Sequence, residues 1–253
     1  MKEKFSWESE DVIWGVWPDQ LLGNLVLEVR NPAQKTVNFV VIHAEHGSLI
    51  FEGFDQSLDW WSVTRYVDKG ILLVESYQNN DLPETRGLKA FSYIKNDLMW
   101  ENPFLGFVQA SQHYLECKTP QDETIWVTLQ DGNPAKYPGL SQFTSPFGHV
   151  QWLSPAFRIY DQLLAYLNTH SGFTEVKNVY YGEPFGCMLL SFEAEDERHK
   201  MKCLWLMNEA GERLWEKKWN ILNNSQPLIQ FFWTETTLFV LENQHLITAY
   251  ELD

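Results

Sequence analysis

The sequence predicts an all-β fold built from a repeated four-stranded unit, and three observations carry that expectation. First, a short turn followed by a hydrophobic pair, an aromatic residue and usually a glutamate recurs along the chain. The copies lie at 47–52, 96–101, 132–137, 211–216 and 4–8, with Phe51, Trp100, Tyr137, Trp215 and Trp7 as their aromatics. Second, short runs rich in β-branched and aromatic residues stand in the same order before each aromatic. Third, Gly, Asn, Asp and Pro bound those runs, which is the signature of strands joined by turns.

Taken in order, a first run recurs at 12–17, 60–64, 105–109, 176–181 and 228–233. A second follows at 25–29, 72–76, 113–117, 188–192 and 238–242, and a third at 37–41, 88–93, 125–129, 202–206 and 247–251. The aromatic motif is the fourth. Four antiparallel strands repeated five times predict a β-propeller of five blades, whose radial arrangement leaves only short edges. The aromatics are spaced by 44, 49, 37 and 78 residues, so the last interval is irregular. Residues 138–174 are read there as an insertion between blades three and four, with a degenerate sixth blade as the alternative. A helix is expected near 155–172, with Ser154 capping and Pro155 at the first helical position. Phe157, Tyr160, Leu163, Leu164 and Leu167 form its apolar face and Gly172 its stop. That face covers a blade flank or one end of the channel, or else serves as a lid or partner surface. The last blade lacks a fourth run of its own, and the segment at 4–8 is expected to supply it and so protect an open edge.

At 253 residues, the repeat and its closure favour one domain spanning 1–253. Aromatics make up 15% of the chain, with twelve Trp, and suit wedges between blades. The formal net charge of −15 disfavours nucleic acid and anionic membrane surfaces, and leaves a protein or a small neutral or cationic ligand as partner. With no secretory leader, no membrane-spanning run and three dispersed cysteines (Cys117, Cys187, Cys203), a cytoplasmic, reduced location is expected. The acidic run 193–197 reads as a solvated hairpin tip, with a metal-binding cluster as the minor alternative.

Residues 88–101 and 203–216 resemble blades of the quinoprotein-type repeat, in which a strand, a turn and a terminal Trp recur. The resemblance implies that Trp100 and Trp215 pack between neighbouring blades. Phe51 in the first blade, and Pro134 with Tyr137 in the third, depart from it. The chain as a whole is similar to an uncharacterised Bacteroidetes family of domains of unknown function with propeller-like repeats. The residues carrying that similarity are Ile13, Trp14, Trp60, Trp61, Phe231, Phe232 and the ending 238–246. These motifs are structural, so the resemblance implies a fold and no activity. A pyrroloquinoline quinone protein is a third idea, but no cofactor ligands are recognisable and no cofactor is expected.

Two constellations are the candidates for chemistry. Glu28, Glu75, Glu116 and Glu242 occupy one place in four second strands, with Ser191 at that place in the fourth blade. They either form a ring of carboxylates able to hold a cation or sugar, or face solvent or pair with Lys or Arg inside each blade. At the leading ends of the first strands stand Asp11, Trp14, Trp17, Asp59, Trp60, Trp61 and Arg65. Exposed aromatic faces beside carboxylates suit a carbohydrate, with two carboxyls as acid and base or nucleophile. Strand alternation puts Trp60 and Trp61 on opposite faces, which makes at least one of them core. Nucleophile elbows, phosphate loops, dinucleotide fingerprints and zinc-protease helices are absent, and His43 and His46 are expected to face solvent. The leading expectation is therefore a non-catalytic binding module, and the alternative is a carbohydrate-active hydrolase. The hydrolase needs two carboxyls roughly 5–10 Å apart in an open cleft. The module expects Asp11 and Asp59 apart or committed to structural hydrogen bonds.

Overall fold

A computed structural model of the chain describes residues 1–19, 21–53, 58–77, 84–111, 113–136, 148–149, 151–195, 200–221 and 229–251. Strand β1 (Lys2–Glu8) opens the chain. Four strands then form a meander: β2 (Val12–Asp19), β3 (Asn24–Asn31), β4 (Thr36–His43) and β5 (Leu49–Glu52). A second meander follows with β6 (Ser62–Asp68), β7 (Ile71–Tyr77), β8 (Thr85–Ser92) and β9 (Asp97–Asn102). The third comprises β10 (Gly106–Ser111), β11 (Tyr114–Lys118), β12 (Thr124–Thr128) and the two-residue β13 (Pro134–Ala135). Tyr137 and Leu228, assigned to strands on sequence, lie outside the described residues.

Beyond these come β14 (Gly148–His149), β15 (Gln151–Trp152) and helix α1 (Tyr160–His170). The fourth sheet holds β16 (Glu175–Gly182), β17 (Met188–Glu195), β18 (Lys200–Met207) and β19 (Arg213–Asn220). The fifth holds β20 (Ile229–Trp233), β21 (Thr237–Glu242), β22 (Leu246–Glu251) and, as its fourth strand, β1. The N-terminal strand pairs antiparallel with β22 from Lys2 opposite Glu251 to Glu8 opposite Leu246, as expected. The described residues thus form five antiparallel sheets, each built on a four-stranded unit, divided between two compact units: Ser9–Pro146, and Met1–Glu8 with Phe147–Asp253.

Within the Ser9–Pro146 unit, apolar layers fill the spaces between successive sheets. Val26, Phe39 and Val41 of the first meet Val67, Leu72, Val74 and Phe91 of the second. Leu73, Leu88 and Ala90 of the second meet Leu115, Cys117 and Val127 of the third. Trp100 joins this second layer, and its indole N–H donates to the Leu129 carbonyl at 2.8 Å. Gly132 is required beneath it. Its φ is +68°, and a Cβ there would stand 2.8 Å from the Trp100 ring. In the other unit, Leu189, Leu204 and Leu206 pack on Phe231, Leu238 and Val240, and Trp215 lies 5.0 Å from Tyr250 in the same layer. Trp100 and Trp215 therefore both sit between sheets.

The region at 138–174 differs from its sequence reading. Its described part contributes β14 and β15, which extend the fifth and fourth sheets beside β20 and β16. The helix begins at Tyr160, because Ser154 closes a turn instead of capping it: the Phe157 amide donates to the Ser154 carbonyl and the Ala156 amide to its hydroxyl. Phe157 is left outside the helix and exposed. Leu167 is buried, and Tyr160, Leu163 and Leu164 are half-buried against Val176, Leu190, Phe192 and Trp205. The apolar face thus covers the flank of the fourth sheet. In the acidic run, Glu193 and Glu195 are engaged on β17. Lys200 reaches Glu195 at 3.2 Å, and the Asn178 amide donates to Glu193 at 2.9 Å.

The first strands share a feature that alternation does not reveal. Register shifts between Ile13 and Gly15, Thr64 and Tyr66, and Phe107 and Gln109 make Trp14, Arg65 and Val108 the extra residues of three equivalent bulges. A bulge bends its strand and re-aims the inserted side chain.

Candidate functional site

Strand β3 is buried along almost its whole length, and its charged residues, Glu28 and Arg30, stand two apart. That spacing puts both side chains on one face of the strand. They are 1% and 4% exposed. Charges this deep persist only when paired and hydrogen-bonded, and both conditions are met. Arg30 Nε donates to Glu28 Oε1 at 2.8 Å, Nη1 to the Trp60 carbonyl at 2.8 Å and Nη2 to the Ser62 carbonyl at 2.6 Å. The other Glu28 oxygen accepts the Thr64 amide at 2.9 Å, tying the first sheet to the bulge of the second.

Two aromatic rings complete this group. The Arg30 guanidinium carbon lies 4.8 Å from the Trp14 ring centre and 5.3 Å from that of Trp60. The rings meet edge to face, 6.3 Å apart. Trp14, thrown outward by the bulge, is 51% exposed. The two candidate carboxylates are committed nearby. Asp11 Oδ1 accepts from the Asn31 side-chain amide at 2.8 Å. Asp59 Oδ1 accepts the Trp61 amide at 3.0 Å and the Ser62 hydroxyl at 3.4 Å, while its Oδ2 accepts from Arg86 at 3.2 Å. Asp59 thereby caps the turn that starts β6. This corrects the reading of Trp60 and Trp61 as strand residues: both precede the strand in that turn, both are half-buried, and neither belongs to the core.

The remaining candidates lie elsewhere in the unit. Trp17 packs against the layer between the first and second sheets. Arg65 belongs to a second copy of the carboxylate device. Its Nε donates to Glu75 Oε2 at 2.7 Å, a guanidinium N–H donates to the Tyr77 hydroxyl, and that hydroxyl donates to Glu75 at 2.5 Å. Glu75 Oε1 accepts the Phe107 amide of the third sheet at 3.0 Å. Burial and the hydrogen bond to Glu75 push the Tyr77 hydroxyl above its ordinary pKa. Burial pulls Arg65 down, but the bond and charge of Glu75 outweigh it and leave the guanidinium raised.

The aligned glutamates do different work: Glu28 and Glu75 pair with an arginine of their own sheet, as the second alternative expects, and not as members of a sugar-binding ring. Glu28 and Glu75 are buried and reach the next sheet. Glu116 meets Gln109, and Glu242 accepts from Lys217 and from the Trp219 indole. Ser191 is buried, and its hydroxyl has no partner among the described residues. Arg30 is the residue that sequence reasoning missed. Its signal was a charge two places from Glu28 in an otherwise apolar strand. Among the described residues, no three His, Cys, Asp or Glu side chains gather as a metal site.

Residues 19–100, which include Glu28, Arg30, Trp60 and Glu75, match the family model of a domain of unknown function, DUF4905. No curated protein matches the chain. Solved structures similar to it include BamB from Moraxella catarrhalis, at 8% identity over 97% of this chain and 87% of that one, with a TM-score of 0.38. A member of the DUF4221 family from Bacteroides vulgatus shares 9% identity over 100% and 98%, with a TM-score of 0.43. The Cps50 (Swd1) β-propeller domain of Myceliophteria thermophila shares 7% over 99% of each chain, with a TM-score of 0.41.

Proposed function

We propose that the five sheets are blades of a β-propeller and that the chain is a non-catalytic binding module, with Trp14 and Trp60 as the centre of its ligand face. The observation that carries this reading is the commitment of the nearby carboxylates. Asp11 holds Asn31, and Asp59 caps a turn and pairs with Arg86. A glycosidase needs one carboxyl as acid and another as base or nucleophile, and side chains engaged in holding turns are poorly placed for either role. The repeated four-stranded order and the carboxylate ties between successive sheets support the propeller. The partner is a protein or a small neutral or cationic ligand, since the charge of −15 opposes nucleic acid and anionic membranes. Three free cysteines suit a reducing, cytoplasmic setting.

Three variants test the reading. Asp59→Ala removes the turn cap and lowers the melting temperature, at a cost of about 1–2 kcal/mol. Trp14→Ala leaves melting nearly unchanged and abolishes stabilisation by ligand. Turnover of aryl glycosides by the wild type that disappears in Asp59→Asn replaces the module with the hydrolase.

A further inference from the structure

From the Trp14–Arg30–Trp60 group we infer that the ligand is a neutral, hydroxyl-rich chain, a saccharide, held by stacking on Trp14 and not cleaved. This rests on the binding-module reading and names the ligand class of the same face. Three features of the group select that class. Trp14 is half exposed yet braced from behind by a guanidinium that two backbone carbonyls and Glu28 hold in place. A braced ring loses little freedom when a flat ligand settles on it, so more of the stacking contact appears as affinity.

Two of the three carboxylates around the group are ion-paired, and the third, Asp11, accepts from the Asn31 side-chain amide. Glu28 pairs with Arg30, and Asp59 with Arg86. The Asp59 and Arg86 side chains remain 45% and 51% exposed, and so present acceptor and donor atoms to water and to the hydroxyls of a ligand. The third feature concerns the ring itself. Arg30 already occupies one side of the Trp14 π-system, 4.8 Å from the ring centre, and draws its electron density, so a second cation on the outer face gains less from the ring. A sugar ring carries no charge. It offers a flat C–H face to the indole and hydroxyl edges to the Asp59–Arg86 pair.

The experiment is isothermal titration of the whole chain with neutral hexasaccharides of glucose, xylose, mannose and N-acetylglucosamine, with hexalysine as the cationic comparison. Mass spectrometry of each recovered ligand accompanies it. At least one hexasaccharide is expected to bind, with affinity little changed between low and high salt because nothing charged is exchanged. Trp14→Ala should weaken it roughly tenfold or more and Trp14→Tyr less, with melting temperatures close to wild type. Absence of Trp14-dependent saccharide binding overturns the inference. So does salt-sensitive hexalysine binding that needs Trp14, which would leave the module standing with a cationic ligand. A bound hexasaccharide recovered as shorter chains keeps the saccharide class and overturns the non-catalytic reading instead.

Discussion

Truncating Glu28 to alanine isolates the device that joins the first two sheets. The substitution leaves the Arg30 charge 4% exposed without its carboxylate, and breaking a buried pair from one side costs about 3–5 kcal/mol. It also orphans the Thr64 amide, which Glu28 accepts at 2.9 Å, at a further cost of about 1–3 kcal/mol. Arg30 keeps the Trp60 and Ser62 carbonyls, so a total near the lower end, about 4–5 kcal/mol, is expected. For a chain of this size each kcal/mol moves the melting temperature by about 2–4 °C, giving a drop of roughly 10–15 °C. Thermal melting by circular dichroism is the assay, with Arg30→Met and the double variant completing a cycle. The buried-pair account expects the double variant to be more stable than the sum of the single losses by about 2 kcal/mol or more. A Glu28→Ala protein that melts within about 2 °C of wild type, or single losses that simply add, would refute the reasoning.

Three further predictions concern titration, thiols and the N-terminal strand. Burial, reinforced by Asp68 and Asp19, pushes Tyr66 up to about 12, and burial and Asp19 also raise Tyr93. A raised tyrosine contributes its full stability below its unfolded pKa and loses it as pH climbs through the folded one. Melting temperature should therefore fall from about pH 10 upward, less steeply in Tyr66→Phe; a flat profile to pH 12 contradicts this. Burial raises Cys117 to about 12 and Cys203 to about 11, whereas Cys187 is only half-buried. Ellman's reagent at pH 8 should therefore titrate one fast thiol in the native chain and three after unfolding. Deleting residues 2–8 strips the partner of β22 and half-buried Trp7. The loss should be on the order of 3–5 kcal/mol, with concentration-dependent association at the exposed edge by gel filtration. Melting and elution like those of the full chain would contradict it.

Strand order was legible because it rests on local chemistry. In β19, Trp215, Lys217 and Trp219 alternate with exposed residues, and the turn before it carries Gly211 at φ +80°. Even the pairing of β1 with β22 followed from a missing fourth run. The bulges were hidden, since nothing in the run from Val12 to Trp17 says that Trp14 is the inserted residue; the partner strand decides that. The helix start was misplaced because Ser154 and Pro155 are equally good turn formers, and local sequence does not separate the two uses. Asp11, Trp14, Asp59 and Trp60 were legible as residues at or just before the start of the first strands, since sequence order alone places them there. What joins Trp14 to Trp60 is Arg30, which belongs to a different strand, so the contact became visible only in three dimensions.

The most direct test of binding without cleavage is to incubate the chain at high concentration with the neutral hexasaccharides and weigh both complex and ligand by mass spectrometry. The account predicts a complex that forms with wild type, is lost in Trp14→Ala, and releases its ligand with unchanged mass. Shorter saccharides produced by wild type but not by Asp59→Asn would contradict it.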